Sequence, residues 1–243
     1  MTSQAPSFTV VLVHGAFADA SSWAKVIDRL RQAGFAAVAP SNPLRGLTAD
    51  GEYIASAVSQ IDGPVLLVGH SYGGPVITYA ASKADNVKGL VYVASFGIDK
   101  GMSTLGSNAA FAPAELDSSL LPKTFPLGDG TGTEFYIQPE HFHSVFCADL
   151  PAEQAAIMNA TQRPATDTAF GEPLAVEPGW KNVPSWFVVA GADHAINPDA
   201  ERAAAQRIGA TVTVVEGGSH AIALSRSDEV TQVILTALQA VAK

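Results

Sequence analysis

The chain has 243 residues, of which 47% are hydrophobic and 15% are charged. This composition excludes a disordered segment and is enough to bury one sizeable core, so we expect a single compact domain over residues 1–243. The formal net charge of −9 offers no cationic surface for a phosphate backbone, which argues against nucleic acid as a partner.

The first residues of the chain, 1–7, have neither a basic start nor a long apolar stretch. No run anywhere in the sequence approaches the roughly 18 apolar residues that a membrane-spanning helix needs. We therefore expect a cytoplasmic protein that does not insert into a membrane.

Six short apolar runs bounded by turn residues predict β-strands, at 8–13, 35–39, 65–68, 90–94, 186–190 and 212–215. They lack period-two alternation, which is typical of strands buried on both faces of a parallel sheet. Segments with helical spacing lie between or after them, at 22–33, 53–61, 75–82, 199–208 and 229–241. The alternation predicts an α/β fold with a mostly parallel, doubly wound sheet of about six strands.

Residues 96–180 interrupt this alternation with a segment that is rich in proline and aromatic residues and has no clear strand. We expect a helical lid here, inserted between the fourth and fifth strands of a core formed by residues 1–95 and 181–243. Six aromatic residues of the insertion are candidates for an apolar pocket roof: Phe111, Phe125, Phe135, Tyr136, Phe142 and Phe146. A helical subdomain that fills its own small core is the alternative.

The insertion also contains three residues with side chains that could be reactive or bind substrate. Cys147 is the single cysteine, so it cannot form an internal disulfide, and no Cys/His spacing resembles a metal site. Cys147 is either a core residue or a reactive thiol. His141 and His143 could bind a substrate carbonyl or hydroxyl, although a solvated helix start is the simpler interpretation.

The strongest chemical signal is the segment GHSYGG at residues 69–74, which follows the third predicted strand and precedes a helix. It matches the G-x-S-x-G pattern of a nucleophile elbow, in which glycines leave room for a sharply bent backbone. We predict that Ser71 is a nucleophile at the carboxyl edge of the sheet. The alternative is an ordinary turn between strand and helix.

A serine hydroxyl needs a base within hydrogen-bond reach, and histidine is the natural one. Among the histidines, His220 fits best because it follows the last strand on a glycine-rich loop at the same sheet edge. A carboxylate should then orient the imidazole. Asp193, after the fifth strand, is the first choice, and Asp99, after the fourth strand, is the second.

A carbonyl oxygen that gains negative charge requires two backbone donors. The elbow supplies the N–H of Tyr72, and the loop after the first strand supplies the N–H of Ala16. His14, at the start of that loop, is expected to orient it. The side chains of Phe17 and Tyr72 could be pocket walls or core residues.

His14-Gly15, the segment 69–74, Asp193 and His220, in this order, resemble the α/β-hydrolase superfamily. Within it, the chain is similar to the small carboxylesterase branch, which includes esterases of the methyl-salicylate and methyl-jasmonate type, hydroxynitrile lyases and bacterial esterases. The resemblance extends from residue 8 to residue 241. It implies chemistry without a cofactor, a triad of Ser71, Asp193 and His220, and oxyanion donors at Ala16 and Tyr72.

Two positions narrow the choice within the superfamily. Epoxide hydrolases and haloalkane dehalogenases carry an aspartate where this chain has Ser71, and hydroxynitrile lyases of this branch place a lysine where it has Ala221. We therefore expect a serine carboxylesterase that hydrolyses small, largely apolar esters. Phe17, Phe135, Tyr136, Phe142 and Phe146 are the candidate pocket residues. The alternatives are a perhydrolase or carbon–carbon bond hydrolase on the same triad, or a ligand-binding receptor with vestigial activity.

Overall fold

The computed structural model describes residues 8–242, and residues 1–7, on which the expected cytoplasmic location partly rests, lie outside this range. Its main element is a six-stranded sheet in the order β2-β1-β3-β4-β8-β9, in which every neighbouring pair is parallel. The strands are β1 (Thr9–Val13), β2 (Ala36–Val38), β3 (Val65–Ser71), β4 (Val87–Ser95), β8 (Ser185–Ala190) and β9 (Thr211–Val215). The predicted doubly wound α/β fold is confirmed.

Burial explains why the strands were recognisable from the sequence. Every residue of β3 and β8 is buried, as expected of central strands covered on both faces. The two edge strands differ from the expectation, because β2 has no fully buried residue and only the last residue of β9 is buried. Edge strands have one neighbour and less cover, so apolar runs there do not mean burial on both faces.

Helices cover both faces of the sheet. The helices of the main fold are α1 (Ala24–Gln32), α2 (Leu47–Ser59), α3 (Gly73–Ala80), α9 (Pro198–Arg207), α10 (Ile222–Ser225) and α11 (Ser227–Val241). One apolar cluster joins α1 and α11 to one face, and a second, larger cluster joins α2, α3 and α9 to the other face and continues into the insertion. Each cluster takes alternate residues of the strands, as the pleat requires.

The insertion between β4 and β8 contains more than helices, which corrects the expectation that it has no strand. It has the helices α4 (Thr104–Asn108), α5 (Glu115–Ser119), α6 (Pro139–Phe146), α7 (Ala152–Thr161) and α8 (Asp167–Gly171), and the strands β5 (Leu120–Leu127), β6 (Gly130–Ile137) and β7 (Ala165–Thr166). The strands form an antiparallel sheet in the order β5-β6-β7.

Two short 3-10 helices connect these elements. A 3-10 helix (Ala20–Trp23) leads into α1, and a second (Gly179–Lys181) leads from the insertion back to β8. Within residues 8–242, no helix is both long and apolar enough to cross a bilayer.

Candidate active site

Ser71 lies at the tip of a sharp turn between β3 and α3. Its backbone has a φ of +52°, in the left-handed region that a residue with a side chain seldom adopts. The flanking glycines are required by space, because a Cβ on Gly69 would lie 2.5 Å from the carbonyl oxygen of Gly73, and one on Gly73 would lie 2.4 Å from that of Val13. The backbone therefore has the strand, turn and helix geometry expected of a nucleophile elbow.

Neighbouring strand ends hold this turn in place. The hydroxyl of Ser95, at the end of β4, donates to the carbonyl oxygen of Ser71 at 2.6 Å. On the other side, a Cβ on Gly15 would lie 2.6 Å from the Cβ of Ser71 and 3.2 Å from its Oγ. The loop after β1 thus passes directly beside the serine hydroxyl, and only glycine fits at that point.

The structure brings Asp193 and His220 together at the same edge of the sheet. Asp193 follows β8, His220 follows β9, and the Nδ1–H of His220 donates to Oδ2 of Asp193 at 2.6 Å. Both residues are buried. The other carboxylate oxygen, Oδ1, accepts the N–H groups of Ala195 at 2.7 Å and Ile196 at 2.9 Å, so the carboxylate is held from both ends.

Asp99, the second candidate for the acid, lies elsewhere. Its carboxylate pairs with the Nζ of Lys181 at 2.9 Å and accepts the N–H of Lys100 at 2.8 Å. The Lys181 ammonium holds the pKa of Asp99 below its usual value. Asp193, and not Asp99, is therefore the carboxylate that is hydrogen-bonded to the imidazole of His220.

His70 links the elbow to the loop that carries His220. Its Nε2–H donates to the carbonyl oxygen of His220 at 2.8 Å, and the two ring centroids are 4.7 Å apart. Burial, followed by the positive charge that His220 can carry, lowers the pKa of His70 well below its usual value, so His70 is neutral. Among the described residues, no hydrogen bond joins Ser71 Oγ to the imidazole of His220.

The two predicted oxyanion donors, the N–H groups of Tyr72 and Ala16, belong to the elbow and to the loop after β1. Tyr72 follows Ser71 directly, and its side-chain hydroxyl donates to Asp50 at 2.8 Å within the core. In the loop after β1, the N–H of Phe17 donates to the carbonyl oxygen of Arg163 at 2.9 Å, whereas the N–H of Ala16 has no acceptor within residues 8–242. Of these two adjacent N–H groups, only that of Ala16 is free to bind a ligand.

His14 holds the loop after β1, in agreement with the role expected for it. It is fully buried, its Nδ1–H donates to the carbonyl oxygen of Gly15 at 2.9 Å, and its Nε2 accepts the N–H of Asn42 at 3.0 Å. Burial lowers the pKa of His14, which keeps the neutral form that can accept a hydrogen bond.

A cavity of about 220 Å³ lies between the insertion and this edge of the sheet. Its lining is mostly apolar, with a few polar residues: Phe96, Thr104, Leu105, Asn108, Leu116, Asp117, Leu120, Phe135, Asp167, Phe170 and Ala195. Ser71 and His220 are not among the lining residues. Phe170 lies between the cavity and the elbow, since its ring centroid is 6.0 Å from that of Tyr72 and 6.2 Å from that of Phe17.

The predicted pocket residues fall into three groups. Phe135 lines the cavity. Phe17, Phe142 and Phe146 are buried, and Phe146 packs against the imidazole of His220 with ring centroids 5.1 Å apart. Tyr136 is next to Phe135 on a strand and therefore points to the opposite face, where its hydroxyl donates to Glu134 at 3.2 Å.

The other suggested roof residues, Phe111 and Phe125, do not line the cavity. Most of its lining was missed from the sequence, because these residues come from short helices and from the hairpin of the insertion. Ala195 and Phe96 could have been found, since each follows a strand end at the edge where the elbow lies.

The remaining reactive side chains of the insertion do not line the cavity. His143 donates from Nε2 to the carbonyl oxygen of Leu150 at 2.9 Å, His141 is exposed, and neither lines the cavity. Cys147 is buried, and burial raises the pKa of its thiol to about 12. Within residues 8–242, no cluster of three or more His, Cys, Asp or Glu side chains is placed to hold a metal ion.

The insertion is hydrogen-bonded to the loop that carries His220. The carboxylate of Asp149 accepts both the N–H of Ser219, at 3.2 Å, and the hydroxyl of Ser219. On the other side of the histidine, the N–H of Ala221 donates to the carbonyl oxygen of Phe146 at 2.9 Å. Both neighbours of His220 are thus fixed by residues of the insertion.

Comparisons with known proteins point to one family. The model of the alpha/beta hydrolase family matches residues 10–233. Esterase PIR7B of rice is 25% identical over 250 residues, with 93% of each chain covered. A pyrethroid hydrolase of Sphingobium wenxiniae is 24% identical over 241 residues, covering 93% of this chain and 85% of that protein.

Among solved structures, that of polyneuridine aldehyde esterase superposes with a TM-score of 0.82. The two chains are 19% identical, and the match covers 95% of this chain and 99% of the other. At this identity, the likeness is one of fold. It extends over the main sheet and the insertion together.

Proposed function

We propose, from the premise that this chain belongs to the alpha/beta hydrolase family, that it is a serine carboxylesterase with Ser71, His220 and Asp193 as its triad. The observation that carries the proposal is the buried hydrogen bond between His220 and Asp193 beside an elbow serine in the left-handed conformation. An ordered acid, base and strained serine are needed for nucleophilic catalysis and serve no purpose in binding alone. The names of the two relatives, an esterase and a pyrethroid hydrolase, support ester hydrolysis.

The proposed reaction is acyl transfer in two steps. Ser71 Oγ attacks the ester carbonyl carbon while its proton passes to Nε2 of His220, and the oxyanion accepts the N–H groups of Ala16 and Tyr72. The imidazolium returns the proton to the departing alcohol, which leaves an acyl group on Ser71. Water activated by His220 then releases the carboxylic acid and restores the serine. Asp193 keeps the imidazole in the tautomer with hydrogen on Nδ1 and stabilises its cation.

The missing hydrogen bond between Ser71 Oγ and His220 fits this scheme. Catalytic hydrogen bonds are often long without substrate and tighten when the reacting complex forms. The His70 bridge keeps the two loops together meanwhile, because it joins the residue before Ser71 to the backbone of His220. We expect the hydrogen bond between Ser71 Oγ and Nε2 of His220 to form when the ester binds.

We infer small and largely apolar esters as substrates from the cavity. Its volume of about 220 Å³ lies below the range of roughly 300–1,000 Å³ usual for drug-sized ligands. The phenylalanine and leucine side chains of the lining favour an alkyl or aryl group over a charged one. Two backbone N–H donors without a cationic clamp suit a carbonyl oxyanion better than a phosphoryl group.

Hydrolysis of p-nitrophenyl esters from acetate to octanoate, by the wild type and by Ser71→Ala, tests this function. We expect turnover that falls by about 10³-fold or more in the variant, and a serine-directed phosphonate that labels Ser71 alone. Undiminished esterase activity of Ser71→Ala would refute the mechanism. Preference for peroxide over water, or for a β-diketone over esters, would indicate a different reaction on the same triad.

A further inference from the structure

A second buried carboxyl group, outside the proposed triad, lies close enough to Asp193 for the two charges to interact. Glu201, in α9, is 0% exposed to solvent. Its Oε2 accepts the backbone N–H of Ala190, the last residue of β8, at 3.1 Å. Its other oxygen, Oε1, is buried and has no hydrogen-bond partner within the described residues. Glutamate is seldom fully buried without a partner, so this residue requires an explanation.

No cation of residues 8–242 forms an ion pair with Glu201. The next residue, Arg202, is partly exposed and its Nη1 pairs with Asp199 at 3.0 Å. Burial, and next the negative charge of Asp193, raise the pKa of Glu201 well above its ordinary value. A carboxyl group in this environment keeps its proton near neutral pH and becomes a hydrogen-bond donor.

Asp193 has one acceptor position left for such a donor. An ionised carboxylate offers about four lone-pair sites. Two hydrogen bonds from Ala195 and Ile196 reach Oδ1, and one from His220 reaches Oδ2. The unpartnered oxygen of Glu201 and the free site of Asp193 are therefore complementary once Glu201 carries a proton.

We propose that Glu201 is a positioning residue of the triad, a neutral carboxylic acid whose O–H donates to Asp193 and whose carbonyl oxygen holds the end of β8. The inference rests on the proposed function, because Asp193 matters in this way only if it orients His220. Glu201 thereby adds a fourth hydrogen bond to the three that already hold the carboxylate of Asp193. It also limits the negative charge that Asp193 presents to His220, since part of that charge is shared with the donated hydrogen.

The charged groups around Glu201 are few. Asp193 faces it from the loop after β8, and Arg202 is its neighbour on α9. Besides β8, α9 packs against β4. The charged residue of that strand, Lys88, is exposed and donates to the carbonyl oxygen of Asp85, and its titratable residue, Tyr92, is hydrogen-bonded to Thr78. A pH effect that depends on Glu201 therefore reports the pair that it forms with Asp193.

Stability against pH tests the protonation of Glu201 without any need for turnover. A group whose pKa is raised in the folded state takes up a proton on folding, so its contribution to stability is lost as pH rises from its unfolded to its folded pKa. We expect the unfolding constant of the wild type, relative to that of Glu201→Gln, to rise by up to about tenfold per pH unit above about pH 4.3. Asp199 is exposed on the same helix, so the unfolding constant of Asp199→Asn should change with pH as that of the wild type does.

Activity tests the positioning role. Glu201→Gln keeps an acceptor for Ala190 and a donor for Asp193, so we expect kcat within about threefold of the wild type and an unchanged acid limb of kcat/KM. Glu201→Leu removes the donor at similar size. We expect its kcat to fall by about tenfold or more at constant KM, with the acid limb shifted to higher pH, because Asp193 then stabilises the His220 cation more strongly.

Three outcomes would overturn the inference. A wild-type to Glu201→Gln ratio of unfolding constants that stays flat from pH 5 to about pH 9 would mean that Glu201 is ionised in the folded protein. A loss of activity in Glu201→Gln equal to that in Glu201→Leu would mean that the charge is needed. If the folded Glu201→Leu variant had the kcat and the pH profile of the wild type, Glu201 would have a structural role alone. Turnover that survives Ser71→Ala would instead refute the esterase mechanism and leave the stability result intact.

Discussion

The main sheet and the insertion contribute to the site in different ways. The sheet supplies the groups proposed to react, because β3, β8 and β9 end at one edge and place Ser71, Asp193 and His220 there. The insertion supplies no such group. Its backbone is instead hydrogen-bonded to the loops after β1 and β9, through the carbonyl oxygens of Arg163 and Phe146, and to the loop after β8, through the N–H of Leu116.

This difference indicates that the insertion is part of the framework of the site. A cover that only closes over a pocket needs a hinge and few polar contacts with the core. Here Cys147, Leu150 and Phe146 belong to the same buried cluster as the helices of the sheet. Substitutions in the sheet and in the insertion should therefore have separable effects on activity.

The largest effect should come from Asp193→Asn. The amide keeps the shape of the side chain but favours the wrong imidazole tautomer, so we expect kcat to fall by about 10⁴-fold with little change in stability. Steady-state kinetics and a melting curve would measure both. Asp99→Asn is the matched control, because that carboxylate pairs with Lys181, and it should stay within about twofold of the wild type.

If Asp99→Asn and Asp193→Asn lost activity equally, the assignment of the acid would be wrong. Full activity of Asp193→Asn would refute the proposed triad. Either result would also remove the basis for the role of Glu201, since that residue acts through Asp193.

A smaller effect is expected from Asp149→Ala, which cuts the link between the insertion and the His220 loop. The variant leaves the N–H and hydroxyl of Ser219 unsatisfied in a buried place. We expect kcat to fall by about 10- to 100-fold, since loss of loop position on the order of 1 Å has effects of that size. Asp129→Ala, at the exposed tip of the insertion hairpin, is the control and should leave kcat unchanged. Equal activities would mean that the insertion does not position His220.

The contrast between the regions also decides how much was predictable from the sequence. The strands of the main sheet begin or end within a few residues of their predicted bounds, because runs such as 65–68 are buried on both faces and carry a strong signal. The elbow was recognisable for a similar reason, since its glycines are dictated by contacts such as that of Gly69 with Gly73. The triad itself remains a proposal.

The hairpin of the insertion was missed because its signals conflict. Pro122 and Pro126 argue against a strand, yet β5 is the edge of its sheet, where a residue without an N–H is tolerated. Gly128, with a φ of +56°, and Asp129 form the two-residue turn between β5 and β6. A Gly-Asp pair between two candidate strands is a known hairpin signal and could have been used. Glu201 left no comparable trace, because its burial arises only from tertiary packing.

Substitutions on the two faces of β6 should have different effects on substrate binding. Phe135→Ala enlarges the cavity, so we expect KM for the preferred ester to rise by about tenfold and the preference to move toward longer acyl chains. Tyr136→Phe changes the opposite face of β6 and should leave KM and the acyl-chain preference unchanged. A larger change in Tyr136→Phe than in Phe135→Ala would place the substrate on the other side of the hairpin.

The smallest expected effect concerns the thiol of Cys147 and tests whether the insertion opens in solution. The side chain is fully buried and its pKa is raised to about 12, so at pH 8 only about one thiol in 10⁴ is ionised. We expect a thiol reagent such as iodoacetamide to leave the native protein unlabelled over an hour and to label it at once in denaturant. Labelling should follow the global unfolding equilibrium, because Cys147 shares its apolar cluster with the core. Rapid labelling of the native protein would instead show an insertion that opens by itself, and the links through Asp149 and Phe146 would then be transient contacts.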